Sequence, residues 1–393
     1  MIKLDRVTRI RAAFFLHAIA SGGIYARVAA IQHNLGVDEA TLGLAFLGFP
    51  LGVILIALFG SRMVEIFGTK RVLAVCVPLV PIGTAVVSAM PTAPLLFIAF
   101  VVDGFIYSLP NTAMNIEADR IEFGLGRRIM NSCHGVWSIG YLLATLIGTL
   151  AEGLQLSPGL HMGLLAVPLV PIALWVTLGF EPAPPRPHSG GAVSTLAWPT
   201  AAVLVLVGFA IGPTLLEGAL RNWSVIYMRD SFAAPSWVDT LSLPVFLVAH
   251  ALGRLNADRF VTRFGVVSTA RVLTAVALVG AALVFFAPNL VLALAGFLFI
   301  GVGVCTSYPL TASAAARLGD RPSTQNVASL TFATQALLLG APPALGWVAT
   351  NLGDRAIFGM LLAPVLASIY LARFLSPRSS AAAAPMRVTP DPE

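Results

Sequence analysis

The chain has 393 residues, of which 57% are hydrophobic and 11% are charged. A soluble domain carries roughly 25% charged residues, so this composition excludes an ordinary soluble protein. The formal net charge of +6 does not indicate nucleic-acid binding, because the basic residues lie in short segments beside apolar stretches, where they set orientation in a membrane.

The apolar stretches predict transmembrane helices, because about 20 helical residues rise ~30 Å, the thickness of a bilayer's hydrocarbon core. A helix also satisfies its own backbone N–H and C=O groups within the lipid. Twelve spans are predicted, over 11–32, 40–61, 71–90, 94–118, 129–153, 159–179, 199–226, 236–254, 267–287, 290–316, 324–349 and 355–375. The predicted fold is therefore an all-α polytopic membrane protein with twelve transmembrane helices.

A segment rich in Pro, Gly and Ser at 181–198 divides the predicted spans equally. Such composition is typical of a flexible linker. We therefore expect an N-terminal six-helix bundle over 1–180 and a C-terminal six-helix bundle over 199–376. Residues 377–393 are predicted to form a disordered tail.

The Lys and Arg residues fall mainly on one side of the implied threading. Because cytoplasmic loops carry an excess of Lys and Arg, the linker and both termini are predicted to be cytoplasmic. The expected location is the inner membrane of a bacterium. Four of the 24 Lys and Arg residues lie on or near the other side: Arg27, Arg221, Arg229 and Arg355.

The two halves of the chain also resemble each other. Span four contains a Gly-x-x-x-Ser-x-Pro string over 104–110, and span ten repeats it over 303–309. Gly22 and Arg27 in span one share their spacing with a Gly and Glu217 in span seven. These matches predict two pseudo-symmetric bundles, the arrangement of transporters that alternate access around a site near the midplane.

Two loops resemble a family signature. The segments 60–71 and 253–265 are similar to the loop of the major facilitator superfamily, roughly Gly-x-x-x-Asp-Arg-x-Gly-Arg-Lys. The strings at 111–115, 126–140 and 217–227 resemble bacterial permeases related to fucose permease and the membrane proteins of rhizopine gene clusters. This resemblance implies a transporter with a central cavity that works as a single chain, so a monomer is expected.

Asp103 is predicted to lie near the bilayer midplane, nine residues into span four and about 13 Å deep. Ionisable groups at this depth are costly and mark functional sites. A proton carrier is one interpretation of Asp103, and a structural carboxylate paired across helices is the other.

Glu217 is followed one turn later by Arg221 on the same helix face. The apparent duplication places Arg27 at the equivalent position of the first half. One hypothesis is that Glu217 alternates between Arg221 and Arg27, and closes the outer gate when it bridges the bundles. The alternative is a static local pair.

His17 and His134 each lie about six residues, or 9 Å, from the cytoplasmic edge of their spans. Histidine relays protons near neutral pH and also hydrogen-bonds solutes. We predict a coupling role for His134 and solute contact for His17. A histidine bonded to a backbone carbonyl in helix packing is the competing interpretation of both.

Several polar and aromatic side chains are candidates for solute binding. Asn111 and Asn115 are one turn apart, and amides both donate to and accept from hydroxyl groups. Aromatic rings stack on sugars or on other rings, but packing or an interfacial belt explains them as well. The further candidates are Tyr25, Trp137, Trp223, Tyr227, Tyr308 and Gln335.

The family resemblance assigns a group of charges to a cytoplasmic gate. Surface charges are the alternative interpretation of the same residues. The residues are Arg62, Glu65, Glu117, Arg120, Asp258 and Arg259.

The chain contains neither a Gly-x-x-x-x-Gly-Lys-[Ser/Thr] loop nor metal-ligand spacing, so no cofactor, no metal and no enzymatic activity are predicted. The leading prediction is a secondary transporter, a proton-coupled symporter for a sugar-like or other small polar solute. Efflux of a drug or metabolite and a non-transporting membrane sensor are the alternatives.

Overall fold

The computed structural model describes residues 4–184 and 198–376, all of whose regular structure is helical. Most of the predicted linker and the whole predicted tail lie outside the described residues. The described part contains twelve helical spans long and apolar enough to cross a membrane: Arg6–Leu35, Glu39–Ile56, Thr69–Ser88, Ala93–Leu125, Ser132–Gly153, Pro158–Leu178, Ala201–Ser231, Ser236–Phe264, Val266–Phe285, Leu290–Ala316, Gln325–Leu352 and Asp354–Leu375. Each matches one predicted span, and they are numbered 1 to 12 below.

Several spans are interrupted. Span 1 passes through a 3₁₀ turn at Gly23–Arg27, and span 10 is split between Leu290–Val304 and Ser307–Ala316. Span 11 contains a Pro pair at 342–343 and is also broken. The break falls just before it, between Ser323–Leu339 and Ala341–Leu352, because proline fits the first turn of a helix, where its missing N–H is not needed. The other broken spans contain the helices Glu39–Phe46, Gly48–Phe67, Ser236–Asp239, Ser242–Phe264, Asp354–Met360 and Leu362–Leu371.

Side-chain caps fix where some spans begin. Asp38 accepts a hydrogen bond of 2.9 Å from the backbone N–H of Thr41 at the start of span 2. The side-chain and backbone bonds from Thr41 hold the pKa of Asp38 below its ordinary value. Asn289 caps span 10 in the same way through Leu292. Such caps satisfy backbone donors that have no partner within the helix.

Glycine allows spans 2 and 4 to approach at backbone distance. A methyl group at Gly52 would overlap the carbonyl oxygen of Val101, and one at Gly104 would overlap that of Phe49. Small residues drive association of membrane helices because lipid provides no hydrophobic force between them. Spans 2 and 4 are therefore in direct backbone contact within the N-terminal bundle.

The two bundles meet at the end opposite the Arg-rich loops, called here the outer end. Span 2 packs on the second half of span 11, where a methyl group at Gly346 would overlap the carbonyl oxygen of Glu39. Nearby, Thr240 hydrogen-bonds Thr149 across the bundles at 2.8 Å. The outer end is therefore closed.

Candidate functional site

A central cavity of about 190 Å³ lies between the bundles. Spans 1, 2, 4 and 5 form most of its wall, and one arginine enters from span 7. Sites for drug-sized ligands measure roughly 300–1,000 Å³, so this cavity suits a smaller molecule. The lining residues are Ser21, Ile24, Tyr25, Phe49, Phe100, Asp103, Tyr107, Tyr141 and Arg221.

Asp103 is 4% exposed and faces this cavity. Its Oδ1 has no hydrogen-bond donor among the described residues, and a methyl group at Gly83 would lie 2.7 Å from the same atom. The alternative of a carboxylate paired across helices finds no support in the described part of the chain. Because burial of an unpaired charge is costly, Asp103 needs a proton or a ligand group.

Arg221 links the two bundles at this level. Its Nη2 donates to Oε1 of Glu217 at 2.7 Å, the one-turn pair predicted from their spacing. Its guanidinium also lies 5.2 Å from the centre of the Tyr141 ring, on the opposite bundle. The Nε of Arg221 has no acceptor among the described residues, so a donor is available to a solute.

Arg27 does not pair with Glu217. It is 1% exposed, and its Nη1 lies 2.5 Å from Glu152 on span 5. The hypothesis required a Glu217–Arg27 bridge when the outer end is closed, yet the outer end is closed here without one. The sequence did not predict Glu152 as the partner of Arg27, because the two residues lie on different spans. Spacing within one helix does not show which residues of another helix it contacts.

His17 lies beside the cavity, within helix packing. Its Nε2 is 2.9 Å from the carbonyl oxygen of Tyr107, and Trp137 donates to its Nδ1 at 3.4 Å. One nitrogen donating and the other accepting suits the neutral imidazole. The interpretation as a histidine bonded to a backbone carbonyl fits this geometry better than direct solute contact.

Tyr107 and Tyr141 line the cavity and were missed in the sequence. The hydroxyl of Tyr141 is buried without a partner among the described residues, and its ring stacks on Trp137 at 5.2 Å. Both follow a predicted site residue by four positions, Tyr107 after Asp103 and Tyr141 after Trp137. Residues four apart share a helix face, so this spacing was the available signal.

Trp223 and Tyr227 do not line the cavity. Both are fully buried, and the hydroxyl of Tyr227 donates to the carbonyl oxygen of Val284 at 2.7 Å. Trp223 packs against Phe46 of the other bundle. Their prediction as solute ligands is wrong for this conformation, and neither forms an interfacial belt, because tertiary packing turns their faces into the core.

Most of the other predicted solute ligands lie outside the lining of the central cavity. Asn115 donates to the carbonyl oxygen of Asn111 at 2.8 Å, which uses part of its amide locally. The hydroxyl of Tyr308 bonds Thr331 at 2.9 Å. Of the remaining candidates, Tyr25 lines the cavity, whereas Gln335 and His134 are exposed outside its lining.

The predicted cytoplasmic gate residues form separate local contacts. Arg62 and Glu65 pair at 3.6 Å while both remain exposed. Arg259 bonds Asn256 at 3.2 Å, and Asp258 is exposed. With the outer end closed, the predicted single network is not assembled.

Glu117, another predicted gate residue, is fully buried at the cytoplasmic end of span 4. It accepts from the hydroxyl of Thr69 at 2.6 Å and from the backbone N–H of Ala183 at 3.1 Å. Arg120 lies 3.8 Å away. Glu117 thus ties the start of the predicted linker to the N-terminal bundle.

Three carboxylates, Glu39, Asp230 and Asp354, bring oxygen atoms within 4.8 Å of one another at the outer end. Asp230 already forms two hydrogen bonds with Arg229. An acidic cluster without further evidence of a ligand does not define a metal site.

Arg229 stabilises the closed outer end through hydrogen bonds between the two bundles. From span 7 it donates to the carbonyl oxygen of Ala29 at 3.1 Å and to Oε1 of Gln32 at 2.9 Å, both on span 1. Hydrogen bonds to charged groups contribute about 1.5–3 kcal/mol. The sequence placed Arg229 near this side of the membrane but did not predict its hydrogen-bond partners on span 1.

Arg229→Ala is expected to open the outer end more often. Loss of about 1.5 kcal/mol shifts the equilibrium roughly tenfold. Thr240 is 1% exposed between the bundles, so the labelling rate of Thr240→Cys by a membrane-impermeant maleimide reports the opening. Arg263→Ala, at the opposite end, is the control, and equal rates in the two variants would contradict the role of Arg229.

Two helical bundles that enclose a small central cavity, closed at one end, are the architecture expected of a membrane transporter that alternates access. The sequence matches the family described as Major Facilitator Superfamily over residues 12–337. The chain belongs to this superfamily. It is thus a multi-pass secondary transporter and not an enzyme, as the sequence predicted.

Relatives and solved structures agree with this assignment. The chain is 30% identical to "Uncharacterized transporter y4wD" of Sinorhizobium fredii, over 91% of this chain and 97% of the relative. It is 23% identical to "Membrane protein MosC" of Rhizobium meliloti, over 94% and 91%. The narrower resemblance to the fucose-permease and rhizopine-cluster branch stays a prediction.

Among solved structures, the fold is similar to that of a mutant of the nucleoside transporter NupG, with a TM-score of 0.78, 14% identity and coverage of 94% of this chain and 100% of that one. A D-xylose-proton symporter matches with a TM-score of 0.68, 13% identity and coverage of 94% and 96%. At these identities the likeness concerns the fold alone.

Proposed function

We propose that this transporter moves a small polar organic solute across the bacterial inner membrane and couples this movement to protons. The central cavity carries the proposal. Three buried polar atoms without partners among the described residues belong to residues of its lining: Asp103 Oδ1, Tyr141 Oη and Arg221 Nε. Such atoms are costly unless a bound molecule satisfies them.

The solute class follows from the lining. The carboxylate accepts from a hydroxyl or amine, and the guanidinium Nε donates to a neutral oxygen. The rings of Tyr25, Tyr107 and Tyr141 offer flat apolar faces to a sugar-like or heterocyclic ring. The volume of about 190 Å³ favours such a solute over a large apolar drug, so efflux of drugs is the weaker candidate.

Asp103 is the proposed proton-binding residue. A carboxylate with neither counter-ion nor hydrogen-bond donor among the described residues is stabilised when it takes a proton. Arg221 lines the same cavity and is held by Glu217, so we propose that Glu217 keeps Arg221 from neutralising Asp103. Symport is the proposed mode, and His134 stays a predicted contributor.

The first experiment measures the pH change that candidate solutes cause inside proteoliposomes containing the purified protein. The panel holds sugars, cyclic polyols, nucleosides, amino acids and common antimicrobials. A pH change with one solute class supports proton coupling and identifies that class. Transport of a labelled solute without a pH change would contradict the proton role.

Tyr141→Phe is expected to weaken the apparent affinity for that solute by about twofold to tenfold, because one hydrogen bond of about 0.5–1.5 kcal/mol is lost. Tyr227→Phe is the matched control. It removes a hydroxyl bonded to Val284 in the core, so it should lower thermal stability and leave the affinity unchanged. Equal affinities in the two variants would place the solute elsewhere.

A further inference from the structure

A second cavity, of about 330 Å³, lies at the outer end between the bundles. It is separate from the central cavity, and the two share no lining residue. Span 1 and the segment after span 5 form one side, and spans 7 and 8 form the other. A molecule bound here would contact both bundles.

Arg27 contributes an unsatisfied donor to this cavity. Its Nη1 lies 2.5 Å from Glu152, and its Nη2 donates to the carbonyl oxygen of Leu156. The Nε has no acceptor among the described residues, although the residue is 1% exposed. Because Glu152 already balances the charge of Arg27, a neutral oxygen suits this donor better than an anion.

Asp239 contributes an unsatisfied acceptor from the other bundle. It is 5% exposed, it lines the cavity, and its Oδ1 has no donor among the described residues. Arg229 also lines the cavity, but its guanidinium is committed to Asp230, Ala29 and Gln32. Asp239 therefore has no counter-ion bonded to it among the described residues.

Two arginines, two carboxylates and His33 line the cavity. Arg27 is paired with Glu152, and Arg229 is paired with Asp230, which lies outside the lining, so the carboxylate of Asp239 has no bonded counter-ion among the described residues. A buried carboxylate without a partner is strongly unfavourable, and a cation that donates hydrogen bonds restores the balance.

We propose that the outer cavity binds a small protonated amine that also carries a hydroxyl or carbonyl oxygen. Its ammonium group donates to Asp239 of the C-terminal bundle, and its oxygen accepts from Nε of Arg27 in the N-terminal bundle. Since this ligand bridges the bundles where they touch, it binds the closed outer end and holds it closed.

The test uses ethanolamine with two analogues that each lack one group, ethylamine without the hydroxyl and ethylene glycol without the charge. Binding to the purified protein is measured by calorimetry and by the shift in thermal midpoint, in amine-free phosphate buffer. We expect ethanolamine to bind more tightly than ethylamine, and ethylene glycol to give no signal. Absence of ethanolamine binding, or equal stabilisation by sodium ions alone, would overturn the proposal.

Asp239→Asn tests the location of the site. This nearly isosteric change should weaken ethanolamine binding at least tenfold while the thermal midpoint without ligand stays close to that of the parent protein. Asp103→Asn, in the central cavity, should leave ethanolamine binding intact. Loss of binding with Asp103→Asn instead would move the amine to the central cavity and overturn the assignment.

A transport assay tests the functional consequence of ethanolamine binding. External ethanolamine should slow transport in proteoliposomes, because it holds the outer end closed, and Asp239→Asn should relieve this inhibition. Inhibition that persists in Asp239→Asn would contradict the proposal. The binding measurement needs no transported solute, so its result is independent of whether the proposed function is right.

Discussion

Asp103→Asn is expected to abolish solute-dependent proton movement in proteoliposomes. The amide preserves the shape and the acceptor oxygen of the side chain but cannot bind a proton. Because Oδ1 of Asp103 has no partner among the described residues, removal of the charge should leave thermal stability equal or higher. The measurement is the internal pH change on solute addition, together with exchange of labelled solute at equal concentrations on both sides.

We expect the pH change to fall at least tenfold, while exchange of the solute continues. Asp38→Asn is the control, because it makes the same chemical change outside the membrane and asparagine caps a helix as well as aspartate does. A normal pH change in Asp103→Asn would assign the proton to another group, and loss of exchange as well would assign Asp103 to solute binding alone.

Gly52→Val is expected to prevent accumulation of folded protein. The new side chain would meet the carbonyl oxygen of Val101 and the backbone of Gly104, and backbone atoms in a helix pair cannot move aside as a flexible side chain can. Overpacking in a core costs about 1–3 kcal/mol even where side chains adapt, so a larger loss is expected here. The yield of monodisperse protein and its thermal midpoint in detergent measure this loss.

Gly163→Val is the matched control for that substitution. Gly163 also lies within a transmembrane helix, but a methyl group added there meets nothing within 4 Å. It should therefore give a normal yield. Equal yields and thermal midpoints in the two variants would mean that spans 2 and 4 are not in direct backbone contact.

The chain's apolar pattern was sufficient to predict its architecture. Twelve spans and their approximate bounds followed from hydrocarbon thickness, because each segment must satisfy its own backbone within lipid. Position along a span also converts directly to distance, which is the basis of the prediction that Asp103 lies near the midplane. Side chains four residues apart share a helix face, which is why Glu217 and Arg221 were paired correctly.

Contacts between helices were decided only by the tertiary structure. Arg27 pairs with Glu152 on another span, and Trp223 and Tyr227 face the core although both were candidates for stacking on a solute. Tyr141 instead faces the cavity. Spacing along a helix determines which side chains share a face, but which neighbour covers that face depends on how the bundles pack, and no local pattern in the sequence records that choice.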